Sequence, residues 1–181
     1  MDSDGLTEKT IDTQEIFKGR VVHLFLDNVQ LPNGAKATRE VVKHPGAVAV
    51  IAVNPEGKLL LVRQYRYPLD KIIYEIPAGK LEPGEDPEKA AVRELEEETG
   101  YSCAKMERII SFYTTPGFSD ELIHLYYTDS LISGQQHLDE DEFLEASAFD
   151  LKEAVQMVQS MQIADLKSMY AVQFMQLRAK G

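Results

Sequence analysis

The stretch GKLEPGEDPEKAAVRELEEETGY, from Gly79 to Tyr101, combines a helix with sharply marked ends and a crowded set of carboxylates. Asp86 followed by Pro87 is a helix start: a capping carboxylate, then a ring whose missing N–H falls where no helical donor is needed. Gly100 supplies the stop, which predicts a helix over Pro87 to Thr99. Along it, Ala91, Val92 and Leu95 make a short apolar stripe, and Glu94, Glu97 and Glu98 share a neighbouring face by their i+3 and i+4 spacing. These acids sit in the last turns, where the helix dipole disfavours anions, and each like-charge i,i+4 pair costs roughly 0.2–0.5 kcal/mol. A positive partner is therefore expected.

The crowded groups are hard oxygens with no Cys or His beside them, which suits Mg²⁺ or Mn²⁺ better than Zn²⁺. Arg93, four residues before Glu97, is placed to neutralise and orient part of the cluster and to reach Glu85 in the preceding loop. A run such as ELEEE taken alone is more often a solvated helix face. The flanking glycines and Arg93 are what set this one apart.

Written as a pattern the run is G-x5-E-x7-R-E-U-x-E-E-x-G-U, where U is bulky and apolar or Tyr, filled by Gly79, Glu85, Arg93, Glu94, Leu95, Glu97, Glu98, Gly100 and Tyr101. This matches the signature of the Nudix hydrolases, which it resembles at every fixed position. The resemblance implies metal-assisted cleavage of a nucleoside diphosphate linked to another group.

The chain has 181 residues, room for one domain with a substantial core and an added N-terminal piece. Its net charge of −11 argues against a nucleic-acid backbone or an anionic membrane as partner, because both would be repelled. A phosphate-bearing substrate would need metal ions and local arginines. Cys103 has no second cysteine to pair with, and no apolar run approaches the ~18 residues that span a bilayer. The polar start MDSDGLTEKT lacks the apolar core of a secretory signal, so a cytoplasmic protein is expected.

Residues 1–9 read as a disordered tail. Alternation then predicts strands at Thr10 to Phe17, Arg20 to Leu31 and Ala35 to Lys43, the last two joined by a turn at Pro32-Asn33-Gly34. This N-terminal antiparallel β region, residues 10–43, carries few apolar residues of its own and needs something to pack against, such as a second subunit. AVAVIAV after Gly46 reads as a strand buried on both faces, followed by a turn at Asn54 to Gly57 and a strand at Lys58 to Tyr65. Further strands are expected at Ile72 to Ile76, Lys105 to Tyr113, Glu121 to Thr128 and Phe143 to Phe149, with helices at Leu151 to Gln159 and Asp165 to Ala179. Residues 44–181 thus form the second region, and the fold class is α+β: a mixed sheet between helices, α/β/α in layers. The Nudix sandwich has that architecture.

The segment GAVAVIAVNPEGKLLLVRQYRYPLDKIIYEIPAGKLEPGE, with Pro116 sixteen residues beyond Gly100, is similar to the ADP-ribose pyrophosphatase branch of the family. That resemblance implies metal held by the Ala78 carbonyl, Glu94 and Glu98, with Glu97 contributing directly or through water. It implies a general base on the loop HLDEDEFLE, His137 to Glu145, with Glu140 the first choice and Glu142 a close rival. Arg66 in RQYR matches the phosphate-binding arginine and Arg39 in TREVV one near the adenosine. Glu75 is placed either on the ribose side or as the partner of one of those arginines. Adenine is expected to stack on Phe17 or Phe25, and the branch implies a homodimer. The expected activity is hydrolysis of ADP-ribose to AMP and ribose 5-phosphate; the alternatives are another nucleoside diphosphate sugar or a non-catalytic nucleotide-binding module.

Overall fold

The computed structural model describes residues 5–138 and 142–179. The chain divides into two compact units, residues up to Gly46 with Tyr113–Leu122, and Ala47–Phe112 with the described residues from Ile123 onward.

The first unit is a three-stranded antiparallel sheet, β1 (Lys9–Lys18), β2 (His23–Gln30) and β3 (Lys36–Lys43), in that spatial order. Pro32-Asn33-Gly34 makes the expected turn, with Gly34 at φ 86° and the Asn33 side chain accepting from the Ala35 N–H. The second strand starts at His23 rather than Arg20, because Gly19 to Val22 close a turn in which the Gly19 N–H donates to the Val22 carbonyl. Order also begins earlier than the expected tail: β1 starts at Lys9, and Glu8 is ion-paired with Arg39. All ten residues of β1 are exposed, and Val29 is the only buried apolar side chain among this unit's described residues. Strand β1 is therefore uncovered, with Ile11, Ile16 and Phe17 exposed.

The second unit holds β4 (Ala47–Ala52), β5 (Leu59–Arg66), β6 (Lys71–Glu75), β7 (Ala78–Lys80), α1 (Pro87–Thr99), β8 (Tyr101–Cys103), β9 (Glu107–Tyr113), β10 (Leu122–Thr128), β11 (Leu131–Ser133), β12 (Leu144–Phe149), α2 (Leu151–Gln159) and α3 (Leu166–Arg178). One sheet runs β7-β4-β10-β9 with β4 and β10 parallel, a second runs β12-β5-β6 antiparallel, and β8 pairs with β11. No helix among the described residues is long and apolar enough to cross a membrane.

β4 decides the layering. Its six side chains are all buried, as AVAVIA requires. Ala47, Ala49 and Ile51 pack in a core with Leu61, Leu125 and the α2–α3 residues Met157, Ala171 and Val172. Val48, Val50 and Ala52 pack on the other face against Ala90, Ala91 and Leu95 of α1. The α+β sandwich expected from the sequence is the fold observed, and the period-2 alternation of one strand distributes its side chains between both cores.

α1 has the predicted bounds. Asp86 Oδ1 accepts from the N–H groups of Glu88 and Lys89 at 3.1 and 3.2 Å, a cap worth about 1 kcal/mol, and Gly100 ends the helix at φ 73°. The buried stripe runs through Ala90, Ala91 and Leu95, whereas Val92 is only half-buried. The same stripe continues one turn further to Glu98, which carries a carboxylate into the interior.

Candidate active site

Arg93 organises the acidic face of α1. Its Nε and Nη2 donate to the two oxygens of Glu85 at 2.9 Å each, a bidentate pair, and Nη1 donates to Glu94 at 2.8 Å and Glu97 at 2.9 Å. Hydrogen bonding to this guanidinium holds the Glu85 carboxyl below its usual range. Arg93 thus ties the loop before the helix to both ends of the cluster, as its spacing predicted.

Gly79 explains itself at this point. A Cβ built on it would overlap the Glu94 carboxyl group, so glycine lets β7 pass beneath the helix with that carboxylate in place. One residue earlier, the Ala78 N–H donates to Glu98 Oε2 at 3.0 Å. Ala78 is itself fixed by antiparallel pairing opposite Ala49.

The electrostatics of the two inner glutamates are alike. Glu98 is 4% exposed, and burial pushes its carboxyl up to about 8; the Ala78 N–H opposes this, while the charges of Glu94 and Glu142 add to it. Glu94 is also raised, by burial first, with Glu97 and Glu142 adding and Arg93 opposing. Negative charge from three places on the chain therefore acts on one small volume. Among the described residues no three His, Cys, Asp or Glu side chains meet at ligand spacing, since Arg93 Nη1 stands between Glu94 and Glu97. The side-chain donors that remain, the Glu94 and Glu98 carboxylates, are hard oxygens and fit a magnesium-like ion that keeps several waters.

The chain beyond β11 returns to the end of α1. The Gly134 N–H donates to the Gly100 carbonyl, Gln136 Nε2 to the Glu98 carbonyl at 2.6 Å, and the His137 N–H to the Glu97 carbonyl. Carbonyls at the helix end that lack an intrahelical partner are thereby satisfied. Gly100 is needed on both sides of this contact, since a Cβ there would lie 2.9 Å from the Gln136 nitrogen and its φ is positive.

Arg66 and Glu75 form a second group. Glu75, 2% exposed, accepts from Arg66 Nε at 2.5 Å and Nη2 at 2.8 Å, and Lys167 Nζ also bonds it. Burial would raise the Glu75 carboxyl, but the Arg66 hydrogen bonds and the charges of Lys167 and Arg66 outweigh it, leaving it below its usual range. Of the two placements open for Glu75 in the sequence, the ion-pair partner is the one seen.

Arg39, Phe17, Phe25 and Pro116 belong to the first unit, where Arg39 is taken up by Glu8 and Pro116 is an exposed turn residue. Glu142 is exposed, just before β12, and acts on Glu94 and Glu98 through its charge. Glu140 lies outside the described residues. His137 contributes its backbone N–H, and its side chain is exposed. Sequence reasoning missed Lys167 and Gln136, because one lysine after a capping Asp and one glutamine in a loop carry no distinguishing pattern.

Comparison with known proteins converges on the same region. The NUDIX domain family matches residues 43–171. The ADP-ribose pyrophosphatase of Bacillus subtilis (strain 168) is 51% identical over 175 residues, 96% of this chain and 95% of that one. A methanol dehydrogenase activator of Bacillus methanolicus is 56% identical over 173 residues, 94% of each. The crystal structure of an ADP compounds hydrolase superposes with a TM-score of 0.84 over 99% of both chains at 20% identity, which supports the fold. With the glutamate-rich helix, its arginine clamp and the layered sheet in place, this chain belongs to the NUDIX family, whose hydrolases use divalent metal ions.

Proposed function

We propose that this protein hydrolyses the pyrophosphate bond of ADP-ribose, giving AMP and ribose 5-phosphate, with Mg²⁺ held by Glu94, Glu98 and the Ala78 carbonyl and with Glu97 contributing directly or through water. The observation that carries the chemistry is the grouping on α1 of Glu94, bonded by Arg93, with buried Glu98, bonded by the Ala78 N–H, together with the partly exposed Arg66. The substrate rests on the 51% identity to a pyrophosphatase of that name over nearly its whole length. Mn²⁺ would fit the same oxygens.

Bound there, the ion would polarise the phosphoryl oxygens and offset charge on the leaving group. The chain's own residues do the rest. Arg66 grips the diphosphate, Arg93 keeps Glu94 and Glu97 in place, and a loop carboxylate takes the proton of the attacking water as the bridging P–O bond breaks. Glu140 is the first assignment for that last role and Glu142 its rival, a residue whose charge adds to the raised Glu94 and Glu98 carboxyls.

The uncovered strand β1 supports a symmetric homodimer built on the N-terminal strands, in which Arg39 and Phe17 serve the adenosine end and Pro116 lies on the same unit. The −11 net charge and the lone cysteine support a cytoplasmic location and a small-molecule partner rather than nucleic acid or membrane.

The deciding experiment incubates purified protein with ADP-ribose, other nucleoside diphosphate sugars and nucleoside triphosphates, with Mg²⁺ or chelator, and identifies the products. AMP from ADP-ribose alone, lost with chelator, is expected; preference for another compound would discard the substrate and keep the mechanism. The 56% identity to a dehydrogenase activator favours one second reading, that the same hydrolase acts on a methanol dehydrogenase system. Adding the protein to such a dehydrogenase and following its rate tests it.

A further inference from the structure

The start of α3 is fastened to the end of β6 by three contacts at consecutive residues. The Tyr74 N–H donates to the Gln162 carbonyl at 2.8 Å, Lys167 Nζ bonds the Glu75 carboxylate, and the Ile76 N–H donates to Ser168 Oγ at 2.9 Å. Ser168 is fully buried, so this junction has little freedom. Lys167 also donates to Asp165 Oδ1 at 2.9 Å, the oxygen that caps α3 through the Ser168 N–H. The other Asp165 oxygen is buried with no hydrogen-bond partner among the described residues.

Charge balance gives this junction a role. Arg66, Lys167, Glu75 and Asp165 sum to zero. Arg66 uses Nε and Nη2 on Glu75, has no described partner for Nη1, and keeps its side chain 41% exposed, whereas that of Lys167 is 12% exposed. The exposed cation is the one free to meet a ligand, and the enclosed one answers for the buried carboxylates behind it. Without Lys167 the group would carry a net negative charge, next to Glu98, whose field Arg66 already feels, in a chain of net charge −11. An incoming phosphate would then meet an arginine whose charge is cancelled.

We infer that Lys167 of α3 is a positioning residue for the diphosphate: by sharing Glu75 with Arg66 it fixes the plane of the Arg66 guanidinium and leaves its positive charge for the substrate anion. This rests on the functional reading above for the identity of the ligand. Arg66 as the gripping residue belongs to the same reading, and any diphosphate would use that grip.

The test is isothermal titration of ADP-ribose and of inorganic pyrophosphate, in chelator, into wild type, Lys167→Met, Lys167→Arg and the pair Lys167→Met/Glu75→Gln, with turnover and KM measured alongside. Lys167→Met is expected to weaken binding of both ligands about 10- to 100-fold, by analogy with loss of a residue that supports a metal ligand. KM should rise by a similar factor with kcat changed less. Lys167→Arg should keep wild-type affinity, and the double variant should recover only part of it, since removing both charges restores the balance while the two-oxygen fork that orients Arg66 stays lost. Lower thermal stability of Lys167→Met with unchanged affinity for both ligands would reduce Lys167 to a structural link and overturn the inference, as would failure of Glu75→Gln to restore binding. Should Lys167→Met not fold, Lys167→Gln and the double variant read the same coupling. Wild type that binds pyrophosphate yet does not turn over ADP-ribose would sink the substrate assignment and leave the Lys167 comparison intact.

Discussion

The Glu98 carboxylate and the Ala78 backbone N–H are joined by a 3.0 Å hydrogen bond, the sole bond to that carboxylate among the described residues. Burial holds the group at about 8 against an ordinary 4.5, so the folded state binds the proton more tightly than the unfolded chain. Stability from this group is therefore present below about pH 4.5 and is lost as pH rises through about 8. In chelator, the melting temperature should fall across that window; saturating Mg²⁺ should flatten the fall, and Glu98→Gln should abolish it while leaving the protein folded. The same substitution should cut turnover by about 10²-fold or more, as loss of several kcal/mol of charge stabilisation requires. Wild-type activity in Glu98→Gln would rule out the ligand assignment.

Gly79→Ala offers a sharper probe than any acidic substitution. The atoms nearest the added methyl are the far end of Glu94, and once that carboxylate swings aside the fold should survive within about 1 kcal/mol. Displacing that carboxylate should nevertheless weaken Mg²⁺ activation about tenfold or more. Urea denaturation beside a Mg²⁺ titration separates the two effects.

Arg93→Lys retains the charge and loses the fork. Four hydrogen bonds to three carboxylates cannot be reproduced by one ammonium, and hydrogen bonds to charged groups contribute about 1.5–3 kcal/mol each when desolvated. A stability loss of about that size, together with a large fall in kcat, is expected from chemical denaturation and steady-state rates.

Glu142→Gln and Glu140→Gln are to be compared at saturating substrate. The residue that accepts the proton should lose about 10²–10⁴-fold in kcat with KM little changed. Equal, small effects of both would mean that neither is the base.

Ile16→Asp on β1 should convert a dimer to monomer, read by sedimentation velocity, because it places a charge on the strand left uncovered in the first unit. A wild-type monomer at micromolar concentration would refute the dimer outright.

Much of this site was legible because local chemistry repeats the global arrangement. Asp86, Pro87 and Gly100 marked both ends of α1, and the apolar run of β4 announced a strand covered on both sides. The strands β7, β8 and β11 have three residues each, too few to show a period, and went unseen. Arg93 could be paired with Glu85 and Glu97 from spacing within one segment. Lys167 and Glu75 stand 92 positions apart, and no single sequence carries that proximity.

Because alternate side chains of β4 belong to opposite cores, neither helical layer can loosen without exposing the shared strand between them. The second unit should then lose its structure in one cooperative step, and the amide hydrogens of Val48 to Ile51 should be among the last to exchange with solvent.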